Sequence, residues 1–233
     1  MEDVALGCAV SLAVGVLFWP RKTAAALGRA LAQSYTASAR YLAAAVAYGV
    51  GRCDPSGPQP SAPRNEALEA AAANRRLDDT FRGYVAEQGS KQAPLADVTA
   101  LVTGVTGVRL AGDAVLDLWD GSAAAGGERA AARRELESVA SNVTSWYEHF
   151  AASLIGGENV PDALANDKAA AGRLVNAVAR DLRDSDGHAT ATAVRLLWTG
   201  DHLDAVRQLQ DMLVGPAEAA APRSASQARG PAV

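Results

Sequence analysis

Of the chain's 233 residues 53 are alanine, about 23%, so only about 26% of the chain consists of larger apolar side chains. Alanine is the best helix former and a poor strand former, which argues against a β-sandwich or barrel and for long, closely packed helices. Two cysteines rule out a disulfide scaffold or a four-cysteine zinc site, and a net charge of −4 is too mild and of the wrong sign for nucleic-acid binding.

The charge is unevenly spread. Residues 1–53 carry five basic and two acidic groups, residues 54–214 carry 15 and 23, and the remainder carries two and one. Arginine outnumbers lysine 19 to 3, a bias that fits a GC-rich bacterial coding sequence more than any function.

From Val4 to Trp19 runs a 16-residue stretch without a charge, preceded by Glu2 and Asp3 and followed by Pro20, Arg21 and Lys22. As a helix it spans about 24 Å, at the short end of what a bilayer requires. Acid before and base after is the reverse of a signal peptide. The basic side is the cytoplasmic one, which places the N-terminus outside and the bulk of the chain in the cytoplasm. Trp19, Arg21 and Lys22 are the expected interfacial anchors. Gly7, Ser11 and Gly15, four apart, form a small-residue face through which a membrane helix packs on another.

Beyond Pro20 an Ala-rich helix continues to about Val50, with Leu27, Leu31, Tyr35, Leu42 and Val46 on one stripe and Arg29 and Arg40 off it. The Pro-rich segment from Arg52 to Asn65 reads as an exposed linker carrying Cys53, with Asn65 capping the next helix. Residues 66–88 form a second, highly charged helix. Pro94 opens a third, whose stripe Val98, Leu101, Val105, Val108, Gly112, Val115, Trp119 is the most regular in the chain, and Gly112 permits a close crossing. Gly104 and Gly107 fall within that helix, where close packing accounts for them.

The run GSAAAGG ends the third helix. Residues 128–154 carry Leu136, Val139, Val143, Trp146 or Tyr147, Phe150 and Leu154 inward. A shorter helix follows over 167–184 with Leu174, Val178 and Leu182 inward. The last covers 188–214 with Leu196, Leu203, Val206, Leu209 and Leu213 inward. The segment from Gly215 is small, polar and Pro-containing, and reads as disordered.

No phosphate loop, dinucleotide fingerprint or nucleophile elbow is present. The three histidines, His149, His188 and His202, have no partner at a ligand spacing. His202 with Asp201 and Asp204 reads as a hydrated helix face before a cation site, and Glu148 and His149 point to different sides of their helix. Arg133 and Arg134 precede Glu135 and Glu137, a pattern of local ion pairing. No catalytic, cofactor-binding or metal-ligating residue is therefore assigned.

The stretch EDVALGCAVSLAVGVLFWPRK resembles the last membrane helix of a half-unit in bacterial fusaric acid resistance-like (FUSC) proteins. LDDTFRGYVAEQG, PLADVTALVTGVTGVRLAGDAVLDLW and TATAVRLLWTGDHLDAV are similar to the cytoplasmic helical region of actinobacterial members. The resemblance covers most of residues 1–214 and rests on helical patterns. It implies an inner-membrane protein related to exporters of aromatic or weak organic acids, and it carries over no residue with a transport role. Family members have several membrane helices per half, whereas this chain has at most one. Met1 as a late start in a longer gene, a surviving C-terminal part of a transporter, and assembly with separate membrane subunits remain three open explanations.

The expected architecture is all-α: a short transmembrane helix over 1–20, an elongated cytoplasmic helical bundle over 21–214 with a linker at 52–65, and a disordered tail over 215–233. Its expected partners are the lipid bilayer and other transmembrane helices, in a homo-oligomer or multi-subunit assembly, with neither nucleic acid nor cofactor. The alternative is a soluble helical scaffold without a transport role.

Overall fold

The computed structural model describes residues 2–53, 59–87, 94–121, 129–179, 182 and 190–220, with the backbone course alone for 2–22 and 87. Every regular element among them is helical: α1 (Glu2–Cys53), α2 (Arg64–Glu87), α3 (Leu95–Trp119), α4 (Ala130–Leu154), α5 (Lys168–Val178) and α6 (Ala191–Ala220).

α1 is a single helix of 52 residues, about 78 Å long. Pro20 does not interrupt it. A proline in a helix interior forfeits one backbone hydrogen bond, about 3 kcal/mol with its steric clash, and an alanine-rich continuation of more than thirty residues carries the helix past it. From Leu27 onward α1 is the spine of the bundle, with α2, α3 and α4 packed around it. Gln59 Nε2 donates to Gly51 O at 2.6 Å and Arg129 Nη1 to Cys53 O at 3.3 Å. These bonds satisfy carbonyls that the helix terminus leaves without an internal donor. Cys53, placed by the sequence in an exposed linker, is fully buried and its thiol donates to Val50 O. The helix continues three residues past Val50 and takes the cysteine into the core with it.

α2 packs on α1 through Ala70, Ala73, Leu77 and Tyr84 and keeps its charged side outward. It begins at Arg64, so the cap position falls on Pro63 and not on Asn65.

α3 buries the whole stripe read from the sequence, Val98 to Trp119. Its glycines admit neighbours closely. A Cβ at Gly112 would lie 2.8 Å from the Tyr41 ring and 3.5 Å from the Leu42 Cα, which makes this the expected close crossing, with α1. Gly104 faces Tyr35 and Leu213, and Gly107 faces Leu209. α6 lies mainly against α3.

An aromatic knot ties four helices together. Tyr35 of α1 stacks on Tyr147 at 5.7 Å and meets Phe150 edge-on at 5.0 Å, while Trp146 stacks on Phe150 at 4.8 Å. Both candidates for the inward position of α4, Trp146 and Tyr147, are therefore buried. The polar ends of the rings find acceptors: Tyr35 Oη donates to Leu101 O, Tyr147 Oη to Val206 O, and Trp146 Nε1 to Asp162 O. Burial raises the pKa of the Tyr35 and Tyr147 phenols well above the ordinary tyrosine value, Tyr147 adding to the effect on Tyr35.

Two boundaries differ from expectation near the C-terminus. α5 ends at Val178, which leaves Leu182 outside it and 38% exposed instead of inward. α6 continues six residues beyond Val214, through Pro216, with Ala217 fully buried. The expected disordered tail thus loses residues 215–220 to a helix whose end is held by packing and by the helix-favouring Ala-Glu-Ala-Ala run. Residues 221–233 lie outside the described residues.

Candidate functional site

The residues nominated from sequence, Gly7, Ser11, Gly15, Trp19, Arg21 and Lys22, all fall on α1. The helical backbone puts Gly7, Ser11 and Gly15 on one face. The packing of these side chains lies outside the described residues. Among the described residues one helix, α3, is long and apolar enough to cross a membrane. Its inward stripe faces α1 and α6, while Thr99, Thr103 and Thr106 are exposed on its other side. A core position accounts for the apolar character of this helix.

A concavity lies elsewhere, between α4, the connector before α5, α5 itself and α6, with a volume of about 490 Å³. Its floor is apolar: Leu136 and Val143 of α4, Leu174 of α5 and Leu203 of α6 are all buried. A Cβ at Gly200 would lie 2.7 Å from Leu174 Cδ2, so the glycine lets α5 seat its leucine against α6.

Two arginine clasps hold the connector and α5 over this floor. Arg173 Nε donates to both carboxylate oxygens of Glu135 at 3.0 Å, and its Nη2 lies 3.7 Å from Asp167. The bond to Glu135, with the charges of Glu135 and Asp167, favours the protonated guanidinium. Asp167 caps α5 by accepting from Ala170 N at 2.9 Å. That bond, with Arg173 alongside, holds its carboxyl below the usual aspartate value. On the other side Arg207, only 14% exposed, donates from Nε to Asp204 at 2.8 Å and from Nη1 to Leu164 O at 3.2 Å. Leu164 N in turn donates to Oε1 of the buried Gln210 at 2.9 Å.

Among the described residues no side-chain hydrogen bond or ion pair engages Ser138, Asn142, Asn166, Lys168 or Asp201, all of which line the cleft.

Asp204 is engaged by Arg207 and Gln208 and so does not converge with His202. Among the described residues no group of three His, Cys, Asp or Glu side chains is placed to hold a metal ion. Glu148 accepts from Arg40 of α1, while His149 Nδ1 lies 2.8 Å from Ser145 O on its own helix. Arg133 pairs with Glu137 one turn on.

Sequence reasoning missed the cleft because its walls come from three stretches, residues 135–143, 164–175 and 197–207, none of which carries a local motif. The one local signal was Asp167 ahead of an Ala-rich run, an N-cap pattern. No protein-family model, no curated protein and no solved structure matches this chain.

Proposed function

We propose that the chain is the membrane-anchored helical region of a transporter related to the FUSC family. In this reading residues 4–19 sit in the bilayer beside other transmembrane helices, and the bundle lies in the cytoplasm as an assembly or regulatory part without catalysis. The observation that carries it is the continuity of α1, which joins the uncharged run, the Trp19–Lys22 exit and the bundle's spine in one helix. A continuous helix of this kind couples the anchor to the bundle with no intervening loop. The acid-before, base-after polarity of the run and the family-like stretches support the same reading.

Membrane fractionation of the full chain tests it. The expected result is retention in the pellet after an alkaline carbonate wash, and release into the supernatant would remove the anchor. The rival, a helical scaffold without a transport role, is favoured by the extent of the core from Leu27 to Ala217, which α1–α6 build among themselves. Deleting residues 1–19 separates the two. An anchor leaves behind a cooperatively melting bundle, whereas a core helix takes the melting transition with it.

A further inference from the structure

α3 and α6 share an outer face that nothing among the described residues covers. Leu110 is 51% exposed, Trp198 55% and Met212 62%, and α5 packs on α4 and α6 but not on α3. Three contacts fix the register of the two helices. Gly104 meets Leu213, Gly107 meets Leu209, and Trp119 Nε1 donates to Thr199 Oγ1 at 3.1 Å, so the helices run antiparallel. This register sets Thr103 level with Met212, Leu110 with Ala205 and Asp117 with Trp198, and all of these residues are exposed. Successive rungs are seven residues apart on both helices, about two turns, so they stand in line on one face.

Equal spacing on either side of the central rung makes the face its own complement. A twofold axis through Leu110 and Ala205 lays α3 on α3 and α6 on α6, antiparallel, and exchanges the outer rungs. Trp198 then covers Met212 of the other copy, an aromatic–thioether contact, and Thr103 offers its hydroxyl to Asp117 of the other copy. Farther out Val194 meets Pro216, each eleven residues from Ala205. Asp201 falls beside Gln208 of the other copy, so no carboxylate is set against another. The small side chain of Ala205 lets the two backbones approach at the centre. From Val194 to Pro216 the face is about 33 Å long, and two packed helices are about 18 Å across, a footprint of about 600 Å² per copy. A standard interface buries about 800 Å² per partner. We propose that this face joins two copies of the chain in an antiparallel twofold dimer, a reversible association with a Kd of micromolar order. The inference is independent of the membrane reading and survives or fails without it.

Cysteine cross-linking of the full chain tests the pairing, with Cys8→Ser as background and Cys53 left buried in the core. Ala205→Cys is expected to give a disulfide-linked dimer on oxidation with copper phenanthroline, since the axis brings the two copies of this position together. Trp198→Cys mixed with Met212→Cys is expected to cross-link about tenfold faster than either alone, because each lies about 21 Å along the helix from its own counterpart and opposite the other. Sedimentation velocity of the full chain, in detergent micelles where the carbonate wash retains it, gives a readout without new cysteines. Ala205→Glu sets like charges across the axis and is expected to weaken self-association about tenfold or more, and an equimolar mixture with Ala205→Lys to restore it. Position 205 is exposed, so both variants are expected to melt as the parent does. No cross-linking of Ala205→Cys, cross-linking of Trp198→Cys or Met212→Cys alone as fast as in the mixture, or self-association undiminished in Ala205→Glu would overturn the proposal.

Discussion

Adding one methyl group at Gly49 is expected to loosen the distal end of the bundle. A Cβ there falls on the indole of Trp119, against Cδ1 and within 2.5 Å of Nε1 and 2.8 Å of Cγ. These atoms belong to a rigid ring that is only 2% exposed, so no flexible chain end can swing aside. The ring is also held by its N–H, which donates to Thr199 Oγ1 at 3.1 Å. Overpacking costs about 1–3 kcal/mol, and leaving a buried donor without its acceptor costs about 1–3 kcal/mol more. Against this, alanine gains about 1 kcal/mol of helix propensity over glycine. The net expectation for Gly49→Ala is a loss of about 3 kcal/mol, or about 6–12 °C in melting temperature for a domain of this size. Chemical denaturation followed by helical circular dichroism measures it. In a Trp119→Ala background, which removes all three of these atoms, the same change should cost less and give a clear coupling energy in a double-mutant cycle. A Gly49→Ala protein as stable as the parent would refute the packing argument.

The same substitution has the opposite sign where no neighbour is met. A Cβ at Gly83 finds nothing within 4 Å, so Gly83→Ala should stabilise α2 by about 1 kcal/mol, and any loss of stability would count against the outward placement of this residue. The buried tyrosines at positions 35, 41 and 147 all have raised pKa values, Tyr41 through burial first and its bond to Asp113 second. Their contribution is fully present below the unfolded tyrosine value of about 10 and is lost as pH rises toward the folded-state values. Stability should therefore fall in alkali from about pH 10, and Tyr147→Phe should flatten that slope; an unchanged slope in the variant speaks against the assignment. Leu174→Ala removes the side chain that seats α5 on Gly200 and should cost about 2–3 kcal/mol. Hydrogen exchange is expected to show α5 amides losing protection while those of α3 keep theirs, and equal loss in both would mean that α5 does not open locally.

The helical stripes were legible because each repeats over several turns. Every apolar position named on α3 is buried, as are Leu27, Leu31, Tyr35, Leu42 and Val46 on α1. Positions decided by tertiary contact were less so. Pro20 signals a helix end when read locally, yet α1 passes through it. Pro216 and Gly215 suggest a tail, yet Ala217 is buried and the helix holds. Cys53 looked exposed because it borders a Pro-rich segment, but Arg129, distant in sequence, reaches the carbonyl of the same residue and closes over it. Leu182 fits the period of α5 but falls beyond its end. The cleft has no periodic signature at all, since Arg173 and Arg207 become clasps only when Glu135 and Leu164 are brought to them.

A rod turns small angles into large displacements. Cys53 stands 33 residues beyond Pro20 on α1, a lever arm of about 50 Å. Proline is the commonest place for a long helix to bend. Pivoting by about ten degrees at that point carries the far tip sideways by about 9 Å, roughly the spacing between two packed helices. The length of this one element therefore sets how far the remote loops travel for a given swing near the start of the chain, and shortening it by whole turns would reduce that travel in proportion.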